Sequence, residues 1–446
     1  MDIGKSSLEK DAWRKPCIVP SLQENFQTVP VSISWPWWRK TVAFTGPGYL
    51  VAVGYMDPGN WATDLAAGSA FNYTLLSVVL LSNLMAILLQ HLAGKLGIVT
   101  GRDLAQACRD HFSYPVTFVL WVLCEIAICA CDIAEVIGSA IALKLLFNVP
   151  LIIGVCITAL DVLALLYFQK IHVRYIEAFV VLLMSIIAWC FWFEIAVSQP
   201  DVGAILHGLI PDKDILLNKE MLYIAIGIIG ATVMPHNLYL HSSIVQTRKY
   251  QQTASGKREA IKFMTIDTMI ALTLAFFINA AILIVAASVF YAHGYHHVTE
   301  IEEAYRLLSP LLKVPIASTI FALALLASGQ NSTLTGTLAG QIVMEGFLDI
   351  RIKPWLRRLL TRGIAIVPAI ISVMWYGQGS ISQLLLLSQV VLSFQLGFAI
   401  IPLILFTSDR KKMGELVNPR WITTLAWMCA CLIIGLNVKY IVDFLS

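Results

Sequence analysis

The stretch Met56-Asp57-Pro58-Gly59-Asn60 lies inside one long apolar segment, and Val233-Met234-Pro235-His236-Asn237 lies inside another. Each stretch has the form x-Pro-x-Asn. Proline removes a backbone donor and clashes with the preceding helical turn, so a helix is expected to break at both places. Polar and ionisable groups are costly in the middle of a membrane segment and usually mark a functional site. Matching interruptions in two apolar segments point to the substrate site of a membrane carrier.

The bulk composition is that of a polytopic membrane protein. The chain has 446 residues, of which 58% are hydrophobic and 13% charged, and its mean hydropathy is +0.75. So few charges are unusual for a soluble domain. Continuous apolar stretches of this length predict membrane-spanning helices, whereas a membrane barrel would show short alternating segments. The eleven predicted spans cover residues 42–70, 74–96, 116–146, 150–168, 174–196, 221–246, 264–292, 313–344, 359–376, 380–407 and 421–444.

The distribution of Lys and Arg predicts the orientation in the membrane. With the N-terminus in the cytoplasm, 25 of the 31 basic residues lie on the cytoplasmic side, as the positive-inside rule requires. An odd number of spans then places the C-terminus outside. The net charge of +3 reflects this bias and does not indicate binding to nucleic acid. The polar N-terminal tail shows no signal peptide. We therefore expect a cytoplasmic tail at residues 1–40 and one transmembrane domain at residues 41–446.

The two interrupted helices also predict internal symmetry. They are spans 1 and 6, which cross the membrane in opposite directions. We therefore expect an all-α fold with two inverted five-helix repeats, at about residues 41–196 and 221–407, and an added helix at about residues 421–444.

The predicted breaks favour binding of a cation. Pro58 and Pro235 interrupt the helices, and Gly59 adds backbone freedom at the first break. Carbonyls just before the breaks, such as those of Gly54 and Ala231, lose their helical partners and must be satisfied in another way. They also lie at the C-terminal end of a half-helix, where the partial charge is negative.

The side chains at the breaks indicate which kind of cation. Asp57 supplies a full negative charge and Asn60 a neutral oxygen. Met234 supplies a thioether, which is a soft ligand compatible with Mn²⁺ or Fe²⁺ and unattractive to Mg²⁺ or Ca²⁺. Two less specific readings are a Met234 that only fills the core and an Asp-Pro-Gly-Asn turn; the position of the tetrapeptide in the middle of a span opposes the second.

At these residues the chain resembles the natural resistance-associated macrophage protein (Nramp) family of proton-coupled divalent metal transporters. The shared motifs are Asp57-Pro58-Gly59-Asn60, Met234-Pro235-His236-Asn237 and Gly340-Gln341-Ile342-Val343-Met344-Glu345-Gly346-Phe347. The resemblance implies a leucine-transporter-like fold. It also implies a metal site formed by Asp57, Asn60, Met234, the carbonyls of Gly54 and Ala231 and, in the occluded state, Gln389.

A second set of polar residues suggests a separate route for protons. Glu125, Asp132 and Glu135 lie in span 3, with Glu125 and Asp132 on one helix face. Uncompensated carboxyl groups in a span are expected to be protonated or paired, and Arg362 near the end of span 9 is a possible partner. These groups could form a relay with Asp57, His236 and His241.

Two alternatives to a relay are also consistent with the sequence. Glu125 and Arg362 could form a static salt bridge, and His241 could have only a packing role. The resemblance favours a proton role for Asp57, His236, Asp132, Glu135 and Arg362.

The sequence therefore predicts a proton-coupled importer of Mn²⁺ and Fe²⁺, and also Cd²⁺, in the cell membrane of a bacterium. Alternatives are a Mg²⁺ carrier or a sodium-coupled amine carrier of the same architecture, a passive metal channel and a metal receptor that does not transport. A metalloenzyme is not expected, because no H-E-x-x-H spacing occurs. We expect no permanently bound cofactor, with the metal ion and H⁺ as transported species. The expected partners are the metal ion, protons and the lipid bilayer, with neither nucleic acid nor an obligatory protein partner.

Overall fold

The computed structural model of the chain is almost entirely helical. It describes residue 13 and residues 19–32, 34–159, 173–296, 298–353 and 380–445, together with isolated residues between 356 and 370. Helices of the N-terminal half are α1 (Trp37–Phe44), α2 (Pro47–Gly54), α3 (Pro58–Phe71), α4 (Leu76–Thr100), α5 (Leu104–His111), α6 (Tyr114–Phe147), α7 (Leu151–Ala159) and α8 (Val173–Ser198). Those of the C-terminal half are α9 (Val202–Gly208), α10 (Asp214–Leu217), α11 (Lys219–Val233), α12 (Pro235–Ile244), α13 (Ala254–Val285), α14 (Ile301–Leu312), α15 (Ala317–Leu348), α16 (Ser380–Ser408), α17 (Arg410–Met413) and α18 (Arg420–Leu445).

Seven segments in the described part of the chain are long and apolar enough to cross a membrane. The first predicted span is divided into α2 and α3, and the eighth is the long helix α15. The span predicted at 150–168 begins as α7, and its remainder lies outside the described residues, as does most of the span predicted at 359–376. The structure therefore confirms a multi-pass helical protein, while the count of eleven spans and the inverted repeats remain predictions.

The loops carry two features beside the long helices. The segments after α8 and after α13 form the short helices α9, α10 and α14. The N-terminal segment adds a short parallel sheet, in which β1 (Val29–Pro30) pairs with β2 (Arg248–Lys249). The sequence did not predict this pairing.

Close helix packing holds the two interrupted helices in the centre of the molecule. Helix α6 packs along α15, and both contact α3. A β-carbon on Gly138 of α6 would overlap the Pro58 ring, and one on Gly230 of α11 would overlap the Gln389 carbonyl. Small residues at such contacts let backbones approach closely, which is how membrane helices commonly pack. The glycines thereby bring the first break against α6 and the second against α16.

Candidate metal-binding site

The first interruption separates α2 from α3. Helix α2 ends at Gly54, and α3 begins at Pro58 after three residues without regular helix. Asp57 is the N-cap of α3, where its Oδ1 accepts a hydrogen bond from the Asn60 backbone N–H at 2.8 Å. Proline is favoured at the first helical position because it has no N–H to leave unpaired there. The predicted break at Pro58 is thus confirmed, and it fixes the Asp57 carboxylate at a helix N-terminus.

The second interruption lies at Met234, between α11 and α12. Met234 has φ 39° and ψ 106°, and α12 begins at Pro235. The positive φ is uncommon for a residue other than glycine. Proline disfavours the helical conformation in the residue before it, so Pro235 moves Met234 out of the helix. The predicted break at Pro235 is confirmed as well.

Oxygen atoms from the two breaks converge on the Asn60 side chain. Its Nδ2 donates hydrogen bonds to Asp57 Oδ1 at 2.7 Å, to the Ala231 carbonyl at 3.1 Å and to the Gly54 carbonyl at 3.4 Å. All three acceptor residues are buried. The structure therefore brings together the carboxylate, the amide and both carbonyls that the sequence singled out. The Asn60 nitrogen faces the other three groups, whereas the Asn60 oxygen, the atom predicted to bind a cation, accepts a hydrogen bond from Asn279.

The Met234 thioether lies beside the same atoms. A β-carbon added to Gly54 would be 3.1 Å from Met234 Sδ. The Asn237 Nδ2 donates a hydrogen bond to this sulfur at 3.4 Å and to the Val51 carbonyl at 3.4 Å. Met234 is fully buried, and its sulfur faces the first half-helix across the break.

Gln389 reaches the first break from α16. A β-carbon on Gly59 would overlap its amide group. The Gln389 Nε2 donates to Ser388 Oγ at 2.9 Å, whereas its buried Oε1 has no hydrogen-bond partner among the described residues. A carbonyl oxygen that can accept a further partner thus lies next to the Asp57–Asn60 turn.

This set of donor atoms restricts the possible chemistry. Among the described residues there is no group of three or more His, Cys, Asp or Glu side chains that could hold a metal ion, so a structural zinc site is not indicated there. One carboxylate, amide and carbonyl oxygens and one thioether instead form a mixed site. Such a site fits a first-row divalent ion better than Ca²⁺ or Mg²⁺.

Two of the predicted acidic residues lie close to this cluster. Asp132 and Glu135 on α6 are buried, and both face Gly336 of α15. The Cys131 thiol lies between two carboxylates, with its Sγ 3.9 Å from Asp57 Oδ2 and 3.8 Å from Glu135 Oε1. Thr333 donates to Glu135 Oε2 at 3.3 Å. A chain of polar groups therefore runs from the first break into the contact between α6 and α15.

Glu125 occupies a different environment near the surface of α6. It is partly exposed, and its Oε1 accepts a hydrogen bond from Trp121 Nε1 at 3.1 Å. Its predicted partner, Arg362, lies outside the described residues. The choice between a static salt bridge and a relay therefore remains a prediction.

The two histidines of α12 are both buried. His241 contacts Gln90 Oε1 through Nδ1 at 3.1 Å and Thr268 Oγ1 through Nε2 at 3.5 Å. His236 follows the break directly, and its Nδ1 has no hydrogen-bond partner in the described part of the chain. His241 is thus held by neighbours on α4 and α13, whereas His236 has capacity for another partner.

Sequence reasoning missed two residues of this site. Asn279 on α13 donates through Nδ2 to the Tyr55 carbonyl at 2.7 Å and to Asn60 Oδ1 at 3.3 Å, so it supports the unwound segment. Cys131 on α6 lies between Asp57 and Glu135 and contacts both carboxylates. The available signals were an amide in the middle of span 7 and a cysteine adjacent to Asp132.

Comparisons with known proteins show the family to which the chain is related. The family model described as natural resistance-associated macrophage protein-like (Nramp) matches residues 48–443. The chain is 64% identical over 418 residues, 94% of its length and 95% of the relative's, to the divalent metal cation transporter MntH of Nostoc sp.. It is 61% identical to the protein of the same name from Listeria monocytogenes serotype 4a, with 98% of each chain covered.

Solved structures show the same fold. The manganese transporter of Eremococcus coleocola, crystallised as its mutant H236A, matches with a TM-score of 0.87 and 42% identity, covering 95% of this chain and 90% of that one. The inward-facing conformation of Mhp1 matches with a TM-score of 0.58 over 96% of this chain and 93% of that one. At 13% identity, the likeness to Mhp1 concerns the fold alone.

Proposed function

This chain belongs to the Nramp family, and we propose that it is a proton-coupled importer of divalent transition metal ions, Mn²⁺ and Fe²⁺ and also Cd²⁺, that works by alternating access in the cell membrane. Relatives that align over nearly the whole chain are named divalent metal cation transporters, and a structural neighbour is a manganese transporter. These names support a metal ion as the substrate. The arrangement of the site residues supports the choice of ion, the coupling to protons and the transport cycle.

The observation that carries the proposal is the convergence of oxygens from two helix breaks on one point. The amide NH₂ of the Asn60 side chain, which bears a partial positive charge, contacts the carboxylate of Asp57 and the carbonyls of Gly54 and Ala231. A cation placed among these oxygens would satisfy the same negative charges. Both carbonyls lie at the C-terminal ends of half-helices, where the helix dipole adds to the attraction.

The sulfur of Met234 and the oxygen of Gln389 extend this donor set. A thioether contributes little to Mg²⁺, which prefers oxygen ligands and keeps most of its water. It is compatible with Mn²⁺, Fe²⁺ and the softer Cd²⁺. The thioether therefore favours a transition-metal carrier over the Mg²⁺ carrier, which the sequence left as an alternative.

Burial of the site favours a carrier over a passive channel. Asp57, Asn60 and Met234 are each at most 1% exposed, whereas an open pore would leave them in contact with water. An ion can then reach the site only after the surrounding helices move. We propose that α2, α3, α11 and α12, with the helices following each pair, rock against the rest of the molecule.

The acidic chain along α6 supports coupling to protons. In the proposed cycle the metal ion displaces the proton held on Asp57, because two positive charges compete for one carboxylate. The proton leaves past Cys131 toward Glu135 and Asp132, with His236 and His241 as further titratable groups near the second break. Glu125 and Arg362 would extend the same route.

A competition experiment tests the function as a whole. The protein is reconstituted in vesicles, and uptake of Mn²⁺ is measured against Fe²⁺, Cd²⁺, Mg²⁺ and Ca²⁺ at two external pH values. We expect Fe²⁺ and Cd²⁺ to compete, Mg²⁺ and Ca²⁺ to compete weakly, and uphill uptake to increase at the lower external pH. Strong competition by Mg²⁺ would overturn the metal assignment, and uptake independent of the pH gradient would favour a passive channel.

A further inference from the structure

The N-terminal strap, defined as residues 19–31, crosses the end of the molecule where α12 and α15 terminate. Its C-terminal part forms β1, which pairs in parallel with β2, and a short 3-10 helix at Val245–Thr247 joins α12 to β2. The Val31 N–H donates to the Lys249 carbonyl at 3.1 Å, and the Gln27 N–H donates to the Gln246 carbonyl at 3.0 Å. The side chain of Val29 is only 5% exposed. This half of the strap is thereby bound to the end of the second interrupted helix.

The other half of the strap binds the end of α15. The Leu22 N–H donates to Glu345 Oε2 at 3.2 Å, and the Leu22 side chain is 5% exposed. Arg351, just beyond α15, donates from one guanidinium nitrogen to Gln23 Oε1 at 3.2 Å and from another to the Val19 carbonyl at 3.3 Å. The strap therefore bridges two elements that the proposed cycle moves relative to each other.

We propose that this strap is a latch, which holds the end of α15 against the interrupted helices and must release α15 in each transport cycle. The inference rests on the proposed rocking motion. Residue 31 is followed within a few positions by α1 and then α2, the first half-helix of the site. When the strap is fixed to α15, it therefore restrains α2 from moving away from the metal-binding site. Release is assigned to the α15 end, because β2 follows α12 and moves with it.

The contacts at the α15 end suit reversible binding. The Arg351 contacts are exposed, and water competes for such hydrogen bonds. Glu345 retains a second partner when the strap leaves, because Gln341 Nε2 donates to its Oε1 at 2.8 Å. Leu22 and Gln27 have φ values of 55° and 52°, a left-handed conformation that residues with a β-carbon rarely adopt. This backbone strain opposes docking and makes release easier.

Cross-linking tests the latch directly in the full-length protein. The double variant Gln23→Cys/Arg351→Cys is joined by a cleavable bismaleimide, and Mn²⁺ uptake into vesicles is measured before joining, after joining and after reductive cleavage. The matched control is Pro30→Cys/Lys249→Cys, oxidised to a disulfide, because these residues are exposed partners in the β1–β2 register. The four single variants control for reaction at native cysteines.

We expect the link to residue 351 to reduce uptake about tenfold, within the usual range of coupling between two conformations, and cleavage to restore it. The disulfide to residue 249 should leave uptake unchanged. Full uptake by the linked Gln23→Cys/Arg351→Cys protein would overturn the proposal, and so would an equal block by the disulfide. Absence of Mn²⁺ uptake before any cross-linking would contradict the proposed function instead of the latch.

A second measurement does not depend on transport. Hydrogen exchange of the α2 amides is compared between a chain lacking residues 2–31 and one lacking residues 2–18, which keeps the strap. We expect exchange about tenfold faster without the strap, because the first half-helix then opens more often. Equal exchange in the two truncated proteins would also overturn the latch.

Discussion

At the scale of single residues, the site depends on a glycine that admits a neighbouring amide. Gly59 faces Gln389, and a β-carbon at this position would overlap the Gln389 side chain. We expect Gly59→Ala to displace Gln389 and to weaken Mn²⁺ binding about tenfold, as the loss of a supporting contact in a metal site commonly does. Isothermal titration with Mn²⁺ measures this change.

Gly435 provides the control for this substitution. It lies on α18, and a β-carbon there would meet no heavy atom within 4 Å. Gly435→Ala should leave Mn²⁺ binding unchanged and stabilise the helix by about 0.5–1 kcal/mol. Equal Mn²⁺ affinity in Gly59→Ala and the wild type would show that Gln389 takes no part in the site.

The thioether of Met234 determines selectivity if it contacts the ion. We expect Met234→Ala to retain part of Mn²⁺ uptake and to lose discrimination against Ca²⁺ and Mg²⁺ by about tenfold, because the remaining ligands are all oxygens, which these ions prefer. The matched control is Met184→Ala, which removes a fully buried methionine from α8. That change costs about 2–5 kcal/mol of stability and should leave selectivity intact. Unaltered discrimination in Met234→Ala would contradict the soft-ligand argument.

Residues of the site were predictable where their chemistry conflicts with a membrane helix. Asp57 and Met234 stand beside prolines that break apolar segments, so sequence alone drew attention to them. Asn279 and Cys131 carry only weaker local signals, because neither stands beside a helix-breaking proline and their roles depend on which helices pack against α3. Their contacts with Asn60 and Asp57 join positions more than 70 residues apart along the chain, and only the tertiary fold brings them together.

At the scale of elements, a capping box stabilises the start of the short helix α5, which connects the end of α4 to the start of α6. The Asp103 Oδ1 accepts from the Gln106 N–H at 2.8 Å, and the Gln106 Oε1 accepts from the Asp103 N–H at 3.3 Å. We expect Asp103→Ala to lower the free energy of unfolding by about 1 kcal/mol, because a helix N-terminus loses its cap. Asp103→Asn keeps a side-chain acceptor at the helix N-terminus and should retain most of the stability that Asp103→Ala loses. Thermal melting in detergent at pH 5 provides the comparison.

The same residue gives a pH dependence. Burial raises the pKa of Asp103 from 3.8 to about 6, although a hydrogen bond from the Gln106 amide offsets part of the effect. The stability that this neutral carboxyl group contributes is fully present below pH 3.8 and is lost as the pH rises through about 6. Asp103→Asn should therefore gain stability relative to the wild type between pH 5 and pH 8. If the melting temperatures of Asp103→Asn and the wild type differ by the same amount at pH 5 and at pH 8, Asp103 stays ionised in the folded protein over this range.

Elements were predicted best where apolar length defines them. The long helices α4, α6 and α13 coincide with continuous apolar segments, and each interrupted helix breaks where proline requires it. The pairing of β1 with β2 was not predictable, because each strand has only two residues. Such short strands carry no alternating pattern, and their register follows from where α12 ends.

At the scale of the whole molecule, the charged loops determine the orientation in the membrane. The excess of Lys and Arg in alternate loops predicts that the N-terminus is cytoplasmic. The number of spans then decides the side on which α18 ends. An epitope tag after Leu445 tests this number, because eleven spans place it outside and an even number places it in the cytoplasm.

We expect antibody to reach the tag after Leu445 on intact spheroplasts of the expressing bacterium. A tag inserted after Gln252, in the exposed loop between β2 and α13, should be reached only after the membrane is permeabilised, because Arg248, Lys249, Lys257 and Arg258 surround it. Both tagged proteins should take up Mn²⁺ to show that they are folded. Protection of both tags in intact spheroplasts would mean an even number of spans. In that case either one of the eleven predicted segments does not cross the membrane or a further segment does.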